Sequence, residues 1–293
     1  MAKEQRGIGA YLVNLGLLSV LTVPKLLPYR WRIPLVGWLT SHVVAPLAGY
    51  DRRIRENLAL VCPDMDQGEV HRLTRAVPDN AGRMLAEMYS SPAFLKRVRN
   101  TPMKGPGVEA LEKARLEGHP IIAVSGHFGN YDVLRATFDH AGHRVGGLYR
   151  PMSNAYFNKH YTHHLKNIAQ PAFEQGRRGL GDMIRHLRGG NMIALLTDQR
   201  DAQGAPLKFF GHRVMTPLSA ADLALKYDAV LIPCYAVRKE NGLDFDILIE
   251  APIPHSDSET MMQAVNDSLE AQVRLHMDQW LWVHRRWKDV QAP

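Results

Sequence analysis

The chain has 293 residues, 45% of them hydrophobic, a formal net charge of +7 and a pI of about 9.4. That is enough apolar mass for one large α/β domain or two modest ones, and it excludes a disordered chain. Two distant cysteines, Cys62 and Cys234, neither with a C-x-x-C partner, exclude a disulfide framework and speak against thiol redox chemistry and a cysteine-based zinc site.

The positive surplus suits an anionic partner: nucleic acid, a phosphorylated substrate, an acidic carrier protein or an anionic membrane. It equally suits a solvated basic face, so the order of residues must choose. Residues 8–23, IGAYLVNLGLLSVLTV, carry no charge. The run is shorter than the roughly 20 residues of a spanning helix, and no small-x-small cleavage signature follows it. Residues 31–50 place Trp31, Trp38 and Tyr50 among aliphatics, and Arg52, Arg53 and Arg55 come next. Amphipathic rings beside arginines suit a bilayer interface and lipid phosphates. Residues 1–50 therefore read as a membrane-associating segment, with an ordinary core hairpin as the alternative.

Residues 51–104 read as a helical region packing on the core. Within it, DNAGRMLAEMYSS (79–91) predicts a helix capped by Asp79 or Asn80, with Met84, Leu85 and Met88 on one face. The joint falls at 102–107, and 105–293 forms the third region. There, strand-like runs at 121–125, 144–149, 192–197, 229–237 and 244–250 alternate with helical stretches at 130–141, 154–168, 179–188 and 218–227. A last helix is expected over 258–280. Such alternation predicts an α/β fold with a mostly parallel central sheet flanked by helices.

In parallel α/β sheets, sites lie beyond the carboxyl ends of strands. His127 follows the apolar run 121–125 in the stretch SGHFGNYD (125–132). Gly126 and Gly129 permit a tight bend, and Asn130 can cap the next helix. Asp132 then falls in that helix's first turn, where it either folds back to orient His127 as a general base or simply complements the helix dipole. Arg150, Asp198 and Gln199 also end strands and are expected on the same edge. A strand-end arginine can hold phosphate or carboxylate, or make a surface ion pair. Asp198 either orients Arg150, binds an acceptor group or merely solubilises a strand end. Phe209 and Phe210 line a substrate channel or form a buried aromatic pair.

SGHFGNYD resembles the HX4D/E motif of glycerolipid-type acyltransferases, and more specifically the bacterial late acyltransferases of lipid A biosynthesis. Further segments match that family in order: RRIRENLALVCPDM (52–65), YRPMSN (149–154), LLTDQR (195–200), KFFGHRVMTP (208–217) and WLWVHRRWK (280–288). The lipid A members usually carry glutamate where Asp132 stands, and the PEGT-type block of the glycerol-phosphate acyltransferases is absent. The resemblance implies an O-acyltransferase on the cytoplasmic face of the bacterial inner membrane. It would need no cofactor or metal. Acyl carrier protein is the implied donor partner, anionic membrane lipids are the surroundings, and a lipid A precursor is the implied acceptor. A lyso-aminolipid or lysophospholipid acceptor is the alternative, and a histidine-metal hydrolase a more distant one. His127 and Asp132 would be catalytic. Backbone N–H groups of the Gly126–Asn130 bend would stabilise the oxyanion.

Two other motifs have competing readings. KHYTHH (159–164) puts His160 and His164 one turn apart without a flanking acid, which suits a surface or interface helix better than zinc. Arg285, Arg286 and Lys288 lie among Trp280, Trp282 and Trp287. That mixture could stack single-stranded nucleic acid or meet a bilayer. The apolar N-terminus favours the bilayer, and no nucleic-acid partner is expected.

Overall fold

Strands form where the chain is apolar on both faces. In Ile121–Ser125, Ile121 and Ala123 join one hydrophobic cluster, while Ile122 and Val124 join another. Alternate side chains of a strand point to opposite faces, so a strand covered on both sides is continuously apolar. The computed structural model describes residues 5–288.

The chain opens with helices: α1 (Ile8–Thr22), α2 (Tyr29–Leu39), the short α3 (Ala45–Leu47), α4 (Tyr50–Val61), α5 (Gln67–Met88) and α6 (Ser91–Val98). The α/β part follows as β1 (Met103–Lys104), α7 (Val108–Leu116), β2 (Ile121–Ser125), α8 (Tyr131–His140), β3 (Val145–Tyr149), α9 (Ala155–Ile168), β4 (Ala172–Glu174), α10 (Arg177–Arg188) and β5 (Met192–Leu196). A hairpin, β6 (Ala205–Phe209) and β7 (His212–Thr216), precedes α11 (Ser219–Tyr227), β8 (Val230–Arg238), β9 (Phe245–Ile249) and α12 (Ser258–Leu275).

Seven strands form one sheet in the order β1-β9-β8-β2-β5-β3-β4. All neighbours are parallel except β8 and β9. The expected mostly parallel sheet flanked by helices is what the chain forms. One face packs against α8, α9 and the front helices, the other against α10, α11 and α12. The final helix ends at Leu275 rather than 280, and a single 3₁₀ turn, Met277–Gln279, follows.

The front helices differ from the sequence reading in one boundary. α5 begins at Gln67, where the Asp66 carboxylate accepts the N–H groups of Gly68 and Glu69. This satisfies two donors that no helical carbonyl can reach. Asp79 and Asn80 are therefore inside the helix, and Pro78 beside them is buried within it. Asp79 instead pairs with Arg83 one turn on.

α1 runs on through a 3₁₀ turn, Val23–Leu26, and the 19 residues Ile8–Leu26 are long and apolar enough to cross a membrane, with 17% of an 18-residue stretch buried. A core helix would be mostly covered, and this one is not. Ile8, Leu12, Val13 and Leu26 are exposed, as are Trp31, Trp38 and Leu47 beyond it. Its other side rests on α9, where Asn154 Nδ2 donates to the Ala10 carbonyl at 2.7 Å.

Candidate active site

The sheet register builds the centre of the site. β2 and β5 are adjacent and parallel, with Ser125 opposite Leu196. Two residues beyond each end, His127 and Asp198 come side by side. His127 Nδ1 donates to Asp198 Oδ1 at 2.8 Å, and the His127 backbone N–H donates to Asp198 Oδ2 at 2.8 Å. The Trp280 indole N–H adds a third donor to Oδ2 at 2.9 Å. Burial opposes ionisation of Asp198, but the His127 charge and these hydrogen bonds outweigh it and hold the carboxyl well below its ordinary range. An ionised carboxylate only accepts, so the shared proton belongs to Nδ1. In the neutral ring, Nε2 then carries a lone pair. Nε2 faces outward, 3.5 Å from the Gln199 side-chain nitrogen.

The bend after β2 is clamped. Gly129 has φ +55, and a Cβ there would lie 1.8 Å from the Ala236 carbonyl oxygen, so only glycine fits. Its N–H donates to the Gln279 carbonyl, and that of Leu281 to the His127 carbonyl. Asn130 caps α8 through the Asp132 N–H and donates to Glu87. Glu87 is fully buried and accepts a bidentate pair from Arg238 at 2.6 and 2.8 Å. Glu87 and Arg238 thus brace the bend from α5 and β8, a contribution no local motif announces.

The expected oxyanion donors are spent. The N–H groups of His127, Phe128, Gly129 and Asn130 donate to Asp198, Gly126, Gln279 and Ala236. A bend stabilised this thoroughly leaves none of the four for a substrate. Gly126 serves packing: a Cβ there would meet the Leu269 side chain at 2.9 Å.

Asp132 lies in the first turn of α8, as expected, but does not fold back onto His127. It is buried and accepts from Arg135 at 3.2 Å, and among the described residues it has no hydrogen bond to His127. Burial raises its pKa, and Arg135 only partly offsets this. Both residues line a cavity of about 620 Å³ that His127 lines as well. Its walls include Leu17 of α1, Met84 and Leu85 of α5, Leu134 and Phe138 of α8, and Phe157 and Leu165 of α9. This size and lining suit an apolar ligand. Arg150, exposed, stands at the rim with Gln199. Cys234 is in the wall, and burial pushes its thiol pKa up.

Phe209 and Phe210 do not line this cavity. They end the β6–β7 hairpin and pack on Trp280, Trp282 and Trp287. Those tryptophans are 0%, 0% and 4% exposed, so they form core and face neither a bilayer nor a nucleic acid. Arg286 among them is also buried. It donates to the Gln199 and Met215 carbonyls, to Thr216 and to Asn266, and burial lowers its pKa to about 10. It positions the segment that carries Gln199.

His284 completes the centre. Its ring lies 4.6 Å from that of His127, its Nε2 has no hydrogen-bond partner, and burial lowers its pKa to about 4. His127, Asp198 and His284 bring ligand atoms within 4.8 Å of one another. Both Asp198 oxygens, however, already accept N–H donors, and His127 Nδ1 is one of them. That donor set suits a hydrogen-bonded dyad better than a cation. The histidines of α9 form no such group among the described residues. His164 instead packs against the Tyr89 ring at a tilt, with centroids 4.2 Å apart.

Comparison with known proteins decides what such a site belongs to. The family model for bacterial lipid A biosynthesis acyltransferases matches residues 2–289. The chain belongs to that family. It is also similar to the lipid A biosynthesis lauroyltransferase of Escherichia coli (strain K12), with 23% identity over 242 residues, covering 80% of this chain and 78% of the relative.

For this lipid A acyltransferase family member, the sequence motifs gather well. His127, Asp132, Arg150 and Gln199 all line one cavity, and Asp198 lies directly behind His127. Phe209 and Phe210 fall outside it. Glu87, Arg238, Trp280 and His284 are the additions. His284 and Trp280 lie inside the quoted WLWVHRRWK block, so the signal was present as aromatic-basic composition but pointed at a surface.

Proposed function

We propose that this protein transfers a fatty acyl group from an acyl thioester to a hydroxyl of a membrane lipid, with a lipid A precursor as acceptor and acyl carrier protein as donor. The observation that carries the reading is the His127–Asp198 pair, with His127 in the lining of a largely apolar cavity of about 620 Å³. Nε2 of His127 takes the hydroxyl proton as the oxygen attacks the thioester carbon. Asp198 holds the tautomer and stabilises the imidazolium. When the tetrahedral intermediate collapses, the C–S bond breaks and the imidazolium returns the proton to the departing thiolate. The acyl chain occupies the cavity. The Gln199 amide, beside Nε2, is placed to meet the oxyanion. A thioester is already activated, so the scheme requires no metal. The name of the E. coli relative, a lauroyltransferase, agrees with a fatty acyl donor.

The uncovered apolar side of α1, with Trp31 and Trp38, supports attachment to a bilayer, and we place the protein on the cytoplasmic face of the inner membrane. The test is acyl transfer followed by lipid mass spectrometry. His127→Ala should lower turnover by about 10²–10⁴, the usual worth of a general base, with an unchanged thermal melt. The His127, Asp198 and His284 cluster gives a metal hydrolase as the second reading. Loss of activity on chelation, restored by zinc, would favour it.

A further inference from the structure

We propose that a second, basic pocket, which shares His284 with the acyl cavity, binds a phosphate group of the acceptor. This rests on the reading that a lipid hydroxyl reaches His127. The pocket, of about 340 Å³, lies between α4 and the C-terminal segment. Arg52, Arg53 and Asn57 line it from the helix, and His284, Arg285 and Lys288 from the opposite wall. Asn57 locks the two walls together by donating to the Trp282 and His284 carbonyls. His284 belongs to both this pocket and the apolar cavity, so a ligand here lies next to the base.

The charge here is unbalanced. Arg53, Arg285 and Lys288 have no carboxylate partner among the described residues, and the single acid, Glu56, makes only an exposed 3.6 Å pair with Arg52. A larger groove of about 990 Å³ also carries arginines, but most of its cations are paired. There Arg83 pairs with Asp79, Arg238 with Glu87, Arg72 with Glu69 and Lys239 with Asp246. Of its five arginines and lysines only Arg75 lacks a carboxylate partner among the described residues, and Arg75 donates to the Ser41 carbonyl, so this groove has less left for an anion. The smaller pocket offers free guanidinium forks, which match phosphate oxygens in pairs. Its one histidine is neutral near pH 7, since burial holds its pKa near 4, so it adds a hydrogen bond rather than a charge.

The test is direct binding by calorimetry, using the full chain in neutral detergent without any acyl donor. The probes are inorganic phosphate, a short-chain phosphatidic acid and the matching diacylglycerol. The expected result is that phosphatidic acid binds and diacylglycerol does not. Arg53→Ala/Arg285→Ala should weaken binding about tenfold or more, as losing charge-assisted hydrogen bonds does. Arg285→Ala alone, at an exposed position, should weaken it less and keeps the test valid if the double variant melts. Inorganic phosphate competing equally well would mark a free-phosphate site, and failure to compete a lipid headgroup site. Either supports an anion subsite. Equal binding by wild type and both variants, or equal weakening by Arg75→Ala in the larger groove, would overturn the proposal. His127→Ala should bind phosphatidic acid as wild type does, so a failed acyl-transfer mechanism and a failed phosphate subsite give different results.

Discussion

Asp198 and Asp132 are both buried, 1% and 2% exposed, yet their surroundings drive them in opposite directions. Asp198 ends a strand beside β2 and accepts three N–H donors, which hold it ionised. Asp132 stands in the first turn of α8 with one guanidinium donor at 3.2 Å, and burial raises its pKa. A carboxylate that orients a histidine must be ionised and must face Nδ1. Register between parallel strands therefore identifies the partner of His127 here, while spacing along the chain points to a residue that shapes the cavity wall.

The comparison breaks most visibly if Arg135 is removed. Arg135→Met leaves Asp132 buried without its cation, which should cost about 3–5 kcal/mol of stability at neutral pH. A carboxyl whose folded pKa is raised favours the folded state at low pH and loses that advantage as pH rises through the folded value. The deficit should therefore shrink from pH 7.5 to pH 5 in urea unfolding. A variant as stable as wild type at pH 7.5 would mean the pair contributes nothing.

On the Asp198 side, His284 gives a smaller effect. Its pKa is about 4 in the folded chain, and an unfolded histidine titrates near 6.5. Between those values only the unfolded chain takes up the proton. Stability from a neutral His284 is thus fully present above about pH 6.5 and lost as pH falls to about 4. His284→Gln should flatten the stability–pH curve in that window by on the order of 2–3 kcal/mol. An unchanged slope would show that His284 titrates normally.

Arg150 sharpens the contrast between a buried and an exposed arginine. It sits at the cavity rim rather than against Asp132, so Arg150→Ala should raise KM about tenfold, one charge-assisted contact, and leave the melt unmoved. A shift in the melt with unchanged KM would make it a structural residue.

Much of this arrangement was legible in the sequence. The five longer strands of the sheet were readable as short apolar runs, continuous in β2, β5 and β8 and alternating in β9, and the placing of His127, Arg150, Asp198 and Gln199 on one sheet edge followed from strand ends. The hairpin β6–β7 was hidden because its turn uses Phe210 at φ 51 before Gly211 at φ 75, where Asn-Gly is the usual signal. β1 and β4, with two and three residues, are too short for any pattern. The start of α5 was misplaced because Pro78, buried mid-helix, sits just before the Asp79-Asn80 pair that resembles a cap. The partner of His127 required knowing that β2 and β5 are neighbours, which is a property of the assembled sheet.

The central claim is that Asp198, not Asp132, orients the base, and the turnover numbers of Asp198→Asn and Asp132→Asn, measured side by side with acyl carrier protein thioester and lipid acceptor, test it most directly. The account predicts that Asp198→Asn lowers kcat by about 10²–10⁴, as the loss of an orienting carboxylate does, while folded Asp132→Asn stays within about tenfold of wild type, the loss of a contact remote from the reacting atoms. A collapse of kcat in Asp132→Asn with near wild-type turnover in Asp198→Asn would contradict it.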